Sequence, residues 1–238
     1  MWEFVKEILG YILMLVPYAL IAWLIARRRW KKRKRAVPAL EGKEYVPRWE
    51  EVLSYLGGKF KEIELENFRA VYCYDYYPVG KFEEEGINDK NLDRRAEILR
   101  FKDGEYGPMA ELLTDFIRGN FWKQSMPTWL LCAIPASTRE KHVVRYGKLL
   151  QEVSEATGIG NGFECIRIRY DRKDSREKKE ANTIRNLEFD RSRIRGKWIL
   201  LLDDITTRGT SFMQCAEKLY ANGAEYVCGF FMGKTVDW

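Results

Sequence analysis

The sequence predicts an α/β domain with a parallel sheet, preceded by a single N-terminal transmembrane helix. In the second half of the chain, short apolar runs alternate with helical patterns, which implies right-handed crossovers within one parallel sheet. Residues 129–134 are apolar at every position, as expected of a strand that is buried on both faces. Near the N-terminus, residues 8–26 form an uncharged run of 19 residues, which predicts the membrane helix.

The composition is that of a folded protein with reduced cysteines. With 238 residues, of which 46% are apolar and 32% charged, the chain can bury one core and a small accessory lobe. Its five cysteines are odd in number, far apart and never in a C-x-x-C pair, which favours free thiols over a disulfide framework or a zinc site. The single histidine, His142, leaves little material for a catalytic triad, and we expect it on a helix surface.

The positive charge of the chain is concentrated in one block. Residues 27–35 contain eight basic side chains, and removing them from the net charge of +6 leaves −2 for the rest of the chain. Nucleic-acid binding requires a basic face on the fold itself, so it is disfavoured for the folded domain. The block fits two roles, a signal that stops transfer and sets orientation, or a binding site for anionic lipid.

The apolar run and the basic block together predict a single-pass anchor in the inner (plasma) membrane. At a rise of about 1.5 Å per residue, residues 8–26 nearly match a hydrocarbon core about 30 Å thick. Basic residues that flank a span stay on the cytoplasmic side, so we expect the C-terminal domain in the cytoplasm. A cleaved signal peptide would have the opposite order of charge.

Four segments follow from these patterns. Residues 1–35 are the anchor with its basic block, residues 36–47 a linker, residues 48–125 a helical N-terminal part that could form a hood, and residues 126–238 the α/β domain. Hydrophobic periodicity predicts the helices and strands within them. The helices are expected at residues 48–56, 92–101, 109–121, 140–157 and 211–221, and the strands at residues 68–77, 129–134, 163–168, 198–202 and 225–232.

The sequence predicts a ligand-binding site in the segment after the apolar run 198–202. Asp203 and Asp204 lie at the C-terminal end of a buried strand, where a ribose diol can donate hydrogen bonds to both carboxylates. A turn rich in hydroxyl side chains then leads into a helix N-terminus, which suits a dianionic phosphate. The residues of this turn are Thr206, Thr207, Arg208, Gly209, Thr210 and Ser211. The alternative is a solvated strand end with Ser211 as an ordinary N-cap.

The stretch from Leu200 to Ser211 resembles the phosphoribosyl pyrophosphate loop of type I phosphoribosyltransferases, in which an apolar strand is followed by two acids and Thr/Gly-rich turns. A wider stretch, residues 72–234, resembles the ComF-type branch, the competence-associated phosphoribosyltransferase-like proteins. The motifs that carry this wider resemblance are residues 98–102, 134–135, 145–148 and 185–187. The resemblance implies a Rossmann-like parallel sheet of the type I phosphoribosyltransferase kind.

One residue departs from the type I phosphoribosyltransferase loop, because Arg208 stands where a small Thr or Gly is common. Two further features depart from the ComF-type branch. Thr183 stands where an arginine is expected. The predicted anchor takes the place of the N-terminal cysteine cluster that is common in the branch. Thr183 lies in the charged stretch 170–185, which is either a mobile lid that closes over the pyrophosphate or a solvated loop or helix.

The resemblance implies a role for each part of the site. Asp203 and Asp204 would be the catalytic acids that hold the ribose hydroxyls, and residues 206–211 would hold the 5-phosphate. Mg²⁺ would bind mainly through the pyrophosphate of the substrate and water, without a protein metal cage. The residues that would face the pyrophosphate are Ala136, Ser137, Thr138 and Arg139. For Arg139, a solvated position in the first turn of a helix is the alternative.

The implied activity is transfer of the phosphoribosyl group from phosphoribosyl pyrophosphate to a nitrogenous, base-like acceptor, with release of pyrophosphate. Two alternatives stay open. The chain could be a non-catalytic module that binds phosphoribosyl pyrophosphate or a nucleotide at the membrane. It could also be an accessory to DNA uptake (competence) at the inner membrane face, which rests on family analogy alone. A homodimer is expected from the resemblance only.

Overall fold

Two sheets and the helices that pack on them make up the described part of the chain. The computed structural model describes residues 59–78, 87–120, 128–170 and 184–236, which belong to one compact unit. The strands are β1 (Lys61–Leu65), β2 (Phe68–Tyr76), β3 (Trp129–Ala133), β4 (Gly160–Asn161), β5 (Ile166–Ile168), β6 (Leu187–Phe189), β7 (Trp198–Thr206) and β8 (Tyr226–Thr235). The helices are α1 (Asp89–Lys102), α2 (Gly107–Asn120), α3 (Arg139–His142), α4 (Lys148–Thr157), α5 (Arg191–Ile194) and α6 (Thr210–Ala221).

The larger sheet has six strands in the order β1-β2-β8-β7-β3-β4. Five of them, from β2 to β4 in that order, run parallel, and β1 joins β2 as an antiparallel hairpin at the edge. In the centre of the sheet, Leu200 of β7 is opposite Leu131 of β3 on one side and Cys228 of β8 on the other. The fold is therefore mixed α/β with a mostly parallel sheet, as predicted, and it is compatible with a Rossmann-like architecture.

Both faces of the sheet are covered, which explains the continuous apolar run of β7. Successive side chains of a strand point to opposite faces. Leu200 and Leu202 lie in a core shared with α1, α2 and α4. On the other face, Phe231 of β8 packs edge-on against Phe212 of α6, with ring centroids 5.4 Å apart. Full burial of one such side chain contributes about 1.5–3 kcal/mol, so the strand is stabilised from both sides.

The order of the strands creates a topological switch point between β3 and β7. After β3 the chain runs through α3 and α4 to β4, which pairs with one side of β3. It later returns as β7, which pairs with the other side of β3. Parallel α/β sheets bind ligands beyond the carboxyl ends of strands at such points. The segments that follow Ala133 and Thr206 therefore occupy the edge at which a ligand is expected.

The strand predicted for residues 163–168 is only partly correct. Phe163–Cys165 form a 3₁₀ turn, and β5 comprises only the three residues that follow. β5 pairs antiparallel with β6 in a separate two-stranded sheet, while β4 takes the edge of the main sheet. Gly162 precedes the turn, and a Cβ atom there would lie 2.4 Å from Cys132 Sγ and 2.8 Å from the Leu131 carbonyl oxygen. The backbone passes too close to β3 for a side chain.

The other predicted elements within the described ranges are confirmed, with two differences. The strand predicted for residues 198–202 continues to Thr206, so both acids of the predicted site lie inside β7. The single helix predicted for residues 140–157 is divided by a π-helical segment, Val143–Gly147.

Several sequence predictions concern residues outside the described ranges. They are the membrane span 8–26, the basic block 27–35, the linker, the helix at 48–56 and residues 171–183 of the charged stretch. Within residues 59–78, 87–120, 128–170 and 184–236, no helix is long and apolar enough to cross a membrane.

Candidate functional site

The connection between β7 and α6 forms the floor of the candidate site. β7 ends at Thr206, a turn follows, and α6 begins at Thr210 with Gly209 as its N-cap. Gly209 has a left-handed backbone, with φ of 70° and ψ of 6°, and no side chain caps the helix. The interpretation of Ser211 as an N-cap is therefore wrong, because Ser211 is the second residue of the helix. The first turn of α6 presents its backbone N–H groups without a capping side chain among them.

One cavity of about 280 Å³ opens at this turn. It contains the positive end of the α6 dipole, several hydroxyl groups and one carboxylate, that of Asp203. The arrangement suits a ligand that carries both a phosphate and hydroxyl groups, because the helix terminus accepts anions and a carboxylate accepts hydrogen bonds from hydroxyls. The lining residues are Asp203, Ile205, Thr206, Thr207, Arg208, Gly209, Thr210, Ser211 and Phe212. The structure thus brings together every residue of the predicted phosphate turn.

The turn is tied to the neighbouring strand and to the hairpin. The hydroxyl groups of Thr207 and Thr235, the last residue of β8, lie 3.1 Å apart, so one donates a hydrogen bond to the other. Gly209 packs against Leu65 at the end of β1, whose methyl carbons would lie 2.7 Å from a Cβ atom on Gly209. These contacts hold the turn from two directions. Arg208 is exposed at the mouth of the cavity.

Asp203 is half-buried and lies on the cavity side of β7. Its Oδ1 accepts a hydrogen bond from the Asp204 N–H at 2.9 Å. Burial, and then the charge of Asp204, raise the pKa of Asp203 well above its ordinary value. The Asp204 N–H and the cations Lys102 and Arg145 act in the opposite direction. Hydrogen bonds from the hydroxyl groups of a ligand stabilise the ionised form of such a carboxylate.

Asp204 occupies a different environment from Asp203. It is only 8% exposed, and its Oδ2 accepts a hydrogen bond from Arg145 Nη1 at 2.9 Å. Lys102 Nζ lies 3.8 Å from the same oxygen. Asp204 is not among the residues that line the cavity. The two neighbouring acids, which the sequence predicts to act together on one diol, therefore face different surroundings.

The sequence did not predict Lys102 and Arg145 as partners of this site. Lys102 is the last residue of α1, and Arg145 lies in the π-helical segment. They are 102 and 59 residues away from Asp204, so no local pattern joins them to it. The only signal was that both belong to motifs of the wider resemblance, residues 98–102 and 145–148.

The segment predicted to face the pyrophosphate follows β3 but does not line the cavity. Ala136 is buried, and Ser137 is half-buried. The Thr138 hydroxyl caps α3 by accepting a hydrogen bond from the Lys141 N–H at 3.2 Å. Arg139 donates from Nε to the Ile168 carbonyl at 3.0 Å and from Nη2 to the Arg169 carbonyl at 2.8 Å. In this conformation, Arg139 links α3 to the end of β5.

His142 is buried, and its predicted position on a helix surface is wrong. The residue is 6% exposed, and its ring stacks on Phe163, with centroids 4.8 Å apart and planes inclined by 8°. Neither ring nitrogen has a hydrogen-bond partner within the described part of the chain. Burial, reinforced by the nearby Arg145 charge, lowers the pKa of His142 from 6.5 to about 4. The imidazole is therefore neutral at physiological pH.

The residues of the cavity fit Mg²⁺ only as a companion of a ligand. Across residues 59–78, 87–120, 128–170 and 184–236, no group of three or more His, Cys, Asp or Glu side chains could hold a metal ion. Mg²⁺ commonly binds through one or two carboxylates together with substrate phosphates and water. The cavity offers a single carboxylate, that of Asp203, so the phosphates of the ligand and water would have to supply the ligands of the ion.

Comparisons with known proteins add no family to this description. No family model matches the chain, and no curated protein matches it.

Proposed function

We propose that the chain is a membrane-anchored protein of the phosphoribosyltransferase type, which binds phosphoribosyl pyrophosphate together with Mg²⁺. It would transfer the phosphoribosyl group to a nitrogenous, base-like acceptor and release pyrophosphate. The observation that carries the proposal is the cavity at the carboxyl edge of the parallel sheet, because one pocket combines the N-terminus of α6, a hydroxyl-rich turn and the Asp203 carboxylate.

The ligand's parts match the parts of this cavity. The 5-phosphate would lie against the first turn of α6, where Thr207, Thr210 and Ser211 add hydroxyl donors to the backbone N–H groups. Asp203 would accept hydrogen bonds from the ribose hydroxyls. Gly209 allows the turn its left-handed backbone and its close packing against Leu65, so it would hold the phosphate-binding N–H groups in place.

In the proposed reaction, the bond between the anomeric carbon and the pyrophosphate oxygen breaks, and its electron pair leaves with pyrophosphate. The lone pair of the acceptor nitrogen forms the new bond to the same carbon, and that nitrogen then loses a proton. Positive charge grows on the ribose ring while the leaving group departs. The protein would contribute mainly by fixing the phosphate and ribose, while bound Mg²⁺ would stabilise the pyrophosphate charge.

A second candidate is a non-catalytic module that binds phosphoribosyl pyrophosphate or a nucleotide. One observation favours it: residues 136–139, predicted to face the pyrophosphate, do not line the cavity, and the Arg139 guanidinium is bonded to two backbone carbonyls. Such a module would bind the phosphorylated ribose without turning it over. Residues 8–26 would hold either version at the cytoplasmic face of the inner membrane, and residues 27–35 could contact anionic lipid.

The experiment that tests the proposal is calorimetric titration of the full-length chain, in detergent, with phosphoribosyl pyrophosphate and Mg²⁺. We expect Asp203→Asn to weaken binding by about a hundredfold, because hydrogen bonds to a charged acceptor contribute about 1.5–3 kcal/mol each. Asp115→Asn, on the exposed surface of α2, is the matched control and should bind like the wild type. A folded wild-type chain that does not bind would disprove the ligand assignment. Pyrophosphate release that depends on a particular base would separate the enzyme from the non-catalytic module.

A further inference from the structure

Asp204, Arg145 and Lys102 form an ion cluster that the proposed function does not use. Its centre is the carboxylate of Asp204, which is almost fully buried. Its Oδ2 accepts a hydrogen bond from Arg145 Nη1 at 2.9 Å and lies 3.8 Å from Lys102 Nζ. Its Oδ1 accepts a hydrogen bond from the Ile205 N–H at 2.7 Å. Both oxygens are therefore engaged within the protein. A buried carboxylate with this many partners is strongly held in place, because releasing it would leave the cations uncompensated.

Arg145 also connects β7 to the end of α1. Its Nε donates a hydrogen bond to the Lys102 carbonyl at 3.0 Å, while its Nη1 holds Asp204. The carbonyls of a helix C-terminus carry a partial negative charge, which favours a cation at this position. The next residue, Tyr146, is 1% exposed and packs edge-on against Phe101 of α1. Arg145 is therefore held by hydrogen bonds to both α1 and β7, and its side chain is only 18% exposed.

A chain of hydrogen bonds runs from Arg145 to the cavity. Arg145 fixes the Asp204 side chain, and the backbone N–H of Asp204 donates to Oδ1 of Asp203 at 2.9 Å. Adjacent strand residues point to opposite faces, so holding Asp204 on the α1 side directs Asp203 to the cavity side. The π-helical segment contributes to this arrangement, since π segments shift the residues that follow around the helix axis and recur at functional sites.

We infer that Arg145 is a positioning residue: it holds Asp204 away from the cavity and leaves Asp203 as the single acid that receives the ligand's hydroxyl groups. This inference rests on the proposed function and deepens it. The sequence assigns the ribose hydroxyls to both Asp203 and Asp204, whereas here Asp203 alone binds them and Asp204 has a supporting role. Asp204 and Lys102 then support the site without contacting the ligand.

The electrostatics of the cluster make the inference measurable. The charged and titratable groups that act on Asp203 through space are Asp204 on its own strand, Lys102 of α1, and Arg145 and Tyr146 of the π segment. Arg208 lines the same cavity. Arg145 opposes the rise in the pKa of Asp203 that burial and Asp204 produce. Removal of Arg145 should therefore raise the pKa of Asp203 further. Ligand binding that needs ionised Asp203 should then require a higher pH.

The test measures binding of phosphoribosyl pyrophosphate with Mg²⁺ to the full-length chain as a function of pH. For Arg145→Met, we expect about tenfold weaker binding at neutral pH and a midpoint of the pH profile about one pH unit higher. Arg145→Lys retains the charge, so its midpoint should stay close to that of the wild type. A purely structural role for Arg145 would lower the melting temperature in both variants but would not move the midpoint.

The double variant Asp204→Asn/Arg145→Met keeps the inference testable if Arg145→Met alone fails to fold. Removing both partners leaves no uncompensated buried charge, and Lys102 can turn its ammonium towards solvent. We expect this double variant to bind less than about fivefold more weakly, against about a hundredfold for Asp203→Asn. Two results would overturn the inference but leave the proposed function standing. One is a loss of affinity in the double variant as large as that in Asp203→Asn, and the other is an unchanged midpoint of the pH profile in a folded Arg145→Met. No binding by the wild type would overturn the inference together with the proposed function.

Discussion

Gly209, at the N-terminus of α6, lies directly against the side chain of Leu65 at the end of β1. A Cβ atom on Gly209 would come within 2.7 Å of both Leu65 methyl carbons, and Gly209 has a φ of +70°. Glycine is the residue that meets both conditions, because it has no side chain to clash and adopts positive φ without strain. The edge hairpin therefore supports the turn that we propose to hold the phosphate.

Gly209→Ala should damage both the fold and the cavity. Alanine in a left-handed conformation costs about 1–2 kcal/mol, and the clash with Leu65 adds to that cost. We expect binding of phosphoribosyl pyrophosphate to weaken by at least about tenfold, because a displaced turn misaligns the donors. Gly196→Ala is the matched control, since Gly196 has a φ of +73° with nothing within 4 Å of an added Cβ atom. Equal losses of stability in the two variants, measured by urea unfolding, would contradict the contact with Leu65.

Thr207→Val should weaken ligand binding more than Thr235→Val does. The two hydroxyls share one hydrogen bond, but only Thr207 lines the cavity. Either variant loses that bond, so we expect a similar decrease of about 1 kcal/mol in the free energy of unfolding. Loss of a donor to a charged phosphate should cost about tenfold in affinity for Thr207→Val alone. Calorimetry on both variants checks this, and equally tight binding by both would remove Thr207 from the ligand site.

The parts of the structure that the sequence predicts correctly are those set by local patterns. The apolar run of β7, the hydroxyl-rich turn and the start of α6 form one continuous stretch, and their residues do line one cavity. The exact end of β7 was not predictable, because Asp203 and Asp204 are poor strand formers. Their place in the strand comes from pairing with β8, where Asp203 is opposite Phe231.

The features that the sequence could not predict depend on contacts between distant segments. Arg145 meets Asp204 across 59 residues, and the π segment alters which side chains of that helix face the sheet. His142 follows the charged residues Glu140 and Lys141, a pattern typical of a surface. It is buried by Phe163, which arrives from the 3₁₀ turn after β4. β4 itself has two residues, too few for any periodic signal.

Arg139→Met should loosen the small sheet formed by β5 and β6. The Arg139 guanidinium holds the carbonyls of Ile168 and Arg169, and the Arg169 N–H donates to the Asn186 carbonyl at 2.9 Å. Removing the guanidinium should therefore raise the hydrogen-exchange rate of the Arg169 amide by about tenfold, since local opening costs little near a strand end. Amide exchange followed by mass spectrometry measures the effect.

Lys141→Met is the control for Arg139→Met, because Lys141 lies exposed on the same short helix. It should leave the exchange of the Arg169 amide unchanged. Unchanged exchange in Arg139→Met, combined with a loss of affinity for phosphoribosyl pyrophosphate, would instead assign Arg139 to the pyrophosphate, as the resemblance implies.

The buried ring of His142 should make the folded state acid-sensitive. Unfolded chains take up a proton on histidine at about pH 6.5, whereas the pKa of His142 in the folded protein is about 4. The unfolded state therefore binds more protons between these values, so the free energy of unfolding falls as the pH drops from about 6.5 to about 4, by roughly 3 kcal/mol in total. His142→Phe keeps a ring for stacking on Phe163 and removes the proton site. Urea unfolding at neutral and acidic pH should show that the free energy of unfolding decreases less on acidification in His142→Phe than in the wild type. An equal decrease in both proteins would assign the acid sensitivity to another group in the fold.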